Sequence, residues 1–138
     1  FSGIQAGSGY CYIGRSPTSA TRHVYAYLAA STNWSDTGSV IQSGKWHHLA
    51  LGHNNGNGAV GMGFCYLDGH LISMKQTSNV TDHSKVFNIG GVNGNAGATT
   101  NANYTLNGKI ASCQIYNRAL CHSEIIHNMN VDLPRLLH

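Results

Sequence analysis

Apolar and polar residues alternate along most of the chain, in short runs broken by glycine, asparagine, serine and threonine. Successive side chains of a strand point to opposite faces, so a period of two predicts strands with one buried face. The runs are GYCYIG (9–14), HVYAYLAA (23–30), GSVIQ (38–42), WHHLALGH (46–53), VGMGFCYL (60–67), HLISMKQ (70–76), KVFNIGG (85–91) and GKIASCQIYN (108–117). Asp68-Gly69 lies between two of them and suits a type I′ hairpin, whose two central residues both need positive φ. The period changes near the end. ALCHSEIIHNMN (119–130) places Leu120, Ile125 and Met129 on one helical stripe. Glu124 follows Cys121 by three residues, as in a capping box, although cysteine is a poor N-cap. Two polar stretches, 54–58 and 90–103, read as exposed loops. Short strands at this spacing with a single helix predict an all-β fold, a two-sheet antiparallel jelly-roll sandwich with one short C-terminal helix.

Composition adds a constraint on the surface. A chain of 138 residues suits a single domain over 1–138, burying roughly two-thirds of its unfolded surface. The hydrophobic share of 41% supports a packed core, while only 9% of residues are charged, against about 25% in a typical soluble domain. The surface is therefore neutral and hydrogen-bonding, which fits an outward-facing or assembled protein. The eight basic residues are scattered with no two adjacent, so no cluster matches successive phosphates and no nucleic acid is expected as a partner. No apolar run approaches the ~20 residues of a membrane span, so no insertion is expected. The opening FSGIQAGSG lacks an initiator methionine and a leader pattern, which predicts a piece of a longer polypeptide.

Histidine and cysteine are the first candidates for chemistry. In a strand over 46–53, alternation separates His47 from His48 and leaves His47, Leu49, Leu51 and His53 on one core-directed face. These histidines read as sheet residues with satisfied hydrogen bonds. His122 and His127 are five apart on the helix, and HExxH is absent, so no zinc site is expected. Cys11, Cys65, Cys113 and Cys121 form an even set with three possible pairings. No CxxC occurs, and Cys11, Cys65 and Cys113 lie in apolar strand-like runs where cysteine serves as a small core residue.

Acids are scarce. Asp36, Asp68, Asp82, Glu124 and Asp132 are the full set; the turn explains Asp68 and the helix start explains Glu124. Glycoside hydrolysis needs two carboxylates across the scissile bond, and no GxSxG or activated cysteine offers another route, so the chain reads as non-catalytic. Without a DxDxDG loop there is no metal or cofactor to expect beyond weak calcium binding by the amides and carbonyls of 90–103. Glycan binding keeps better support. A sugar site needs planar amides for hydroxyl pairs and an aromatic face for the ring, and loops or strand ends supply Trp34, Asn54, Asn55, Asn57, Asn93, Asn95, Asn101 and Tyr104. Each asparagine also has a plain reading as turn chemistry. Asn33, Asn79 and Asn103 begin N-x-S/T sequons, acceptors in a eukaryotic secreted protein.

Taken in order, KWHHLAL, YLDGHLI, FNIGG and LNGKIASCQIYNRALCHSEI, from Lys45 to Ile125, resemble the laminin-G-like branch of the concanavalin A-like lectin/glucanase superfamily. The tail EIIHNMN is similar to the ends of such modules in bacteriophage structural proteins. The resemblance implies a jelly roll that binds glycans or other protein chains within a larger assembly, in an extracellular location or on a virion surface. It also implies more strand before WHH than this chain holds, so N-terminal strands are expected to be missing or supplied from elsewhere. Positions after NGKI that relatives often make acidic are Ala111 and Ser112 here, which removes carboxylates from any calcium site. Two functions follow as expectations. One is a glycan-binding recognition or adhesion module, and the other is a structural or decorating subunit of a capsid, tail or fibre.

Overall fold

The computed structural model describes residues 2–6, 9–15, 23–28, 35–54, 60–78, 87–93 and 100–136. Within them the chain is mostly strands, closed by one short helix. The strands are β1 (Ser2–Ala6), β2 (Gly9–Arg15), β3 (His23–Leu28), β4 (Ser35–Val40), β5 (Leu49–Asn54), β6 (Val60–Leu67), β7 (His70–Ser78), β8 (Phe87–Ile89), β9 (Gly91–Asn93) and β10 (Thr100–Thr105). Helix α1 (His122–Asp132) follows, ending in a 3₁₀ turn over Leu133–Leu136. The described pairings are antiparallel, in sheets of order β4-β3-β2-β1-β8, β5-β6-β7 and β10-β9.

The core forms where the five-stranded and three-stranded sheets meet. Val24 of β3 and Cys65 of β6 are buried together, with Ile41, Leu49, Leu51, Leu67 and Ile72 packed around them. Register explains the choice: Leu49 faces Leu67 and Leu51 faces Cys65, so one face of β5 and β6 turns inward. On β6 that face carries Gly61, Gly63 and Cys65, all buried, while Val60 and Met62 on the other face are exposed. Burial pushes the Cys65 thiol up to about 12, so it stays neutral and packs as an apolar group. A register shift between β3 and β4 is held by Thr37, whose hydroxyl donates to the Val24 carbonyl at 2.9 Å. Gly52 stands opposite Phe64, whose ring occupies the space a Cβ would need.

The β6–β7 hairpin is the type I′ turn expected from Asp68-Gly69, with φ of 49° and 77°. Helix α1 packs on it. A Cβ on Gly69 would lie 2.5 Å from Ile126 Cδ1, so the helix packs directly over this glycine. Tyr66 meets the His122 ring edge-on, with centroids 5.5 Å apart, and Ile125 is buried. The helix begins at His122, as the Cys121–Glu124 spacing implies, because Cys121 is extended (φ −76°, ψ 165°) and serves as N-cap. Glu124 supplies the carboxylate half of the box, accepting the Cys121 N–H at 2.9 Å.

Several sequence expectations are corrected. The run 108–117 is not a strand; residues 106–118 are exposed and form no ladder among the described residues, so Cys113 is an exposed thiol, not a core residue. Alternation supplies the capacity to pair, but pairing needs a free edge in register, and the segment instead ties its side chains to α1. Gln114 donates to Asp132 at 3.2 Å and Asn128 donates to the Tyr116 hydroxyl at 3.0 Å. The run 85–91 is broken at Gly90, whose φ of 80° turns the chain between β8 and β9. The expected loop 90–103 instead contains β9 and most of β10, pinned by a Leu106 N–H to Gly90 carbonyl bond of 2.7 Å. Strand β1 has no counterpart among the alternating runs, and GSVIQ pairs earlier than expected, as Ser35–Val40.

Replacing Gly69 by alanine adds a Cβ at positive φ and against Ile126. Gly69→Ala is expected to destabilise the chain by about 2 kcal/mol, read as a lower urea midpoint. An unchanged midpoint would refute the packing of α1 on this turn.

Candidate functional site

The histidine-rich stretch is a structural joint. His47 and His48 precede β5, which starts at Leu49, and both are held by the hairpin turn. Asp68 accepts from His47 Nδ1 through Oδ2 at 2.8 Å and from the His48 backbone N–H through Oδ1 at 2.9 Å. The Asp68 N–H donates in turn to the His48 carbonyl at 2.8 Å, extending the β5–β6 ladder by one residue. On its other side, His47 Nε2 lies 3.1 Å from the Gln42 backbone nitrogen, which closes the turn over 42–47. His47 and Asp68 are 12% and 38% exposed, so the pair is partly screened and acts chiefly by orienting the backbone.

His48 departs from the expectation of satisfied sheet histidines. Its Nδ1 is buried without a hydrogen-bond partner. Burial lowers the pKa of the ring, opposed by the nearby charges of Asp132 and Asp68. Burial thereby makes the imidazole harder to protonate than a free one. Among the described residues no group of three or more His, Cys, Asp or Glu converges as metal ligands.

The residues proposed from sequence for sugar recognition fall into separate places. Asn54 is exposed at the end of β5. Asn93 ends β9 directly opposite Thr100, beside Asn101, and Tyr104 lies further along β10. The register of this pair shifts between Thr100 and Thr105, so β10 carries the extra residues, Asn101 and Tyr104 among them. The strand Thr100–Thr105 also contains the sequon at Asn103. Trp34, Asn55, Asn57 and Asn95, with the sequons at Asn33 and Asn79, lie outside the described residues.

Sequence reasoning missed a second surface. An open groove of about 240 Å³ runs beside α1, lined by Tyr116, Arg118, Leu120, Glu124, His127 and Asn128. Arg118 grips Glu124 through two bonds of 2.8 and 2.6 Å. That pairing, with the Cys121 N–H, pulls the Glu124 carboxyl down to about 2, and it also raises Arg118. Tyr116 is fixed from both sides: its hydroxyl donates to Gln114 Oε1 and accepts from Asn128 Nδ2. The spacing of Tyr116 and Asn128 across the helix start is the available signal. It is masked because 108–117 reads as a strand with an inward face.

A family model of the laminin G type, described as the concanavalin A-like lectin/glucanases superfamily, matches residues 2–126. Comparison with curated proteins gives no match. Among solved structures, an S-layer domain-containing protein from Clostridium thermocellum ATCC 27405 is similar, with a TM-score of 0.47 and 20% identity. The alignment covers 94% of this chain and 61% of that one, so the chain spans about three-fifths of that structure's length.

A base with a depressed folded-state pKa stabilises the fold above its unfolded value, and that contribution is lost as pH falls through the folded value. For His48 the loss starts below about pH 6.5. Stability is therefore expected to drop on acidification from pH 7 to 5. The drop should be smaller in His48→Gln, by urea titration at each pH. Equal pH dependence in the two proteins would remove His48 as the cause.

Proposed function

Because the chain belongs to the concanavalin A-like lectin/glucanases superfamily over residues 2–126, we propose that it is a non-catalytic, glycan-binding recognition module, a two-sheet jelly roll displayed outside the cell. The observation that carries this reading is the β9–β10 pair. It sets Asn93 opposite Thr100, next to Asn101, where the two strands end. Asparagines in paired strands supply the amide chemistry that suits the paired hydroxyls of a sugar, and Tyr104 in the same strand is an aromatic residue type. The low charge of the chain favours neutral ligands.

The non-catalytic part of the reading is supported by how three of the five acids are used. Asp68 is engaged by His47 and His48, Glu124 by Arg118, and Asp132 by Gln114. Two carboxylates free to flank a glycosidic bond are what hydrolysis requires. Carbohydrate-array binding by the full chain is the test, with a loss of about tenfold or more, some 1.4 kcal/mol, in Trp34→Ala or Tyr104→Ala. Absence of binding across a broad array would overturn the reading.

A second reading, a structural or decorating subunit of a capsid, tail or fibre, is favoured by residues 106–118. Leu106, Ile110, Ile115 and Tyr116 are 40%, 45%, 69% and 44% exposed on a run without ladder bonds. A strand-capable segment with open backbone groups can add to the sheet edge of a neighbouring chain. On this reading the isolated protein self-associates with rising concentration, seen by light scattering, and Ile115→Lys suppresses it. A stable wild-type monomer at high concentration would exclude this role.

A further inference from the structure

The groove beside α1 has the chemistry of a second ligand site. We propose that it is a subsite for one neutral sugar ring, stacked on Tyr116 and hydrogen-bonded by Asn128 and Arg118. This rests on the recognition reading above but uses different residues from the β9–β10 end.

Tyr116 is the anchor. It is 44% exposed, so part of the side chain is open to a ligand, while its hydroxyl is tied to Gln114 and Asn128. Gln114 is itself held by Asp132, so the tether runs from α1 through Gln114 to the ring and back to α1 through Asn128. A ring fixed in this way loses little freedom when a ligand stacks on it, which keeps the entropic cost of binding low.

The polar groups retain capacity. Asn128 uses one amide N–H on Tyr116, which leaves its second N–H and its carbonyl oxygen. A guanidinium carries five N–H donors; Arg118 directs two bonds to Glu124 and a longer one, 3.4 Å, to the Ala119 carbonyl. Donors and acceptors side by side suit hydroxyl groups, which need both. Charge selects further. Arg118 and Glu124 cancel, so, with His127 neutral, the lining offers no excess cation for a phosphate or a sugar acid. Glu124 is the only carboxylate of the lining among the described residues, which leaves out the second acid that glycoside cleavage requires.

Size sets the ligand. At about 240 Å³ the groove is below the roughly 300–1,000 Å³ of pockets for drug-sized molecules. One ring fits, and an oligosaccharide would cross it by a single residue. Affinity at such a site is weak per copy and rises through repeated display in an assembly.

The test is an NMR titration of the full chain with glucose, galactose, mannose and N-acetylglucosamine, run beside the carbohydrate array. At least one sugar is expected to shift the amide signals of residues 116–128. Tyr116→Ala should weaken that response at least tenfold, and Tyr116→Phe less. Ser123 also lines the groove, and Ser123→Trp fills it from an exposed helix position while leaving the Tyr116–Gln114–Asn128 tether intact, losing only the Ser123 Oγ contact to Cys121 Sγ; it should block binding even if Tyr116→Ala perturbs folding. Array binding by the wild type that persists in Ser123→Trp, with no shifts over 116–128, would overturn the subsite and leave the recognition reading standing. No array binding and no shifts with any sugar would overturn both.

Discussion

The carboxylate of Asp68 joins three parts of this molecule. Its backbone takes the positive φ that a type I′ turn needs, while its two oxygens hold His47 and the backbone of His48. A residue suited to turn geometry thus also fixes where β5 begins. Because Leu49 and Leu51 follow directly, the same contact sets which residues of β5 face Cys65 and Leu67. A shift of one residue would carry these leucines to the opposite face. The partly exposed ion pair contributes modestly by itself, and its importance lies in the register it holds.

Next to it, Gly69 opens the space in which α1 rests. Ile126 and Met129 approach this glycine, Tyr66 meets His122, and the half-buried His48 ring feels the charge of Asp132. The helix covers the one part of β6 whose second face is buried, since Val60 and Met62 on that face remain exposed. Helix placement then determines the surface beyond it. The Arg118–Glu124 pair, the Cys121 cap and the Tyr116–Asn128 contact all depend on where α1 begins.

Two candidate recognition surfaces arise from different physics. At the β9–β10 end, Asn93 and Asn101 stand in paired strands, and the richness in asparagine is legible along the chain itself. Beside α1, the Tyr116 ring is immobilised only once the segment before the helix folds against it. Its partner Asn128 lies twelve residues on, and Gln114 is held by Asp132 eighteen residues on. Neither surface needs an acid free for catalysis, which matches the structural employment of Asp68, Glu124 and Asp132.

By itself the sequence determined the elements whose cause is local. Alternation set β2, β3, β6 and β7 close to their observed positions, Asp68-Gly69 set the hairpin, and the stripe with Glu124 set α1. These depend on side-chain period, backbone φ and a cap three residues away. Tertiary structure decided the rest. GKIASCQIYN alternates as cleanly as any strand, yet pairing depends on an available edge, and the segment binds α1 through Gln114 and Tyr116 instead. The adjacent histidines carry the residue type of a chemical site, but one is the partner of a turn twenty-one residues away and the other a half-buried ring with an unpartnered Nδ1. Period and turn type are properties of neighbours along the chain. Partners across it are chosen by packing, which no local pattern contains.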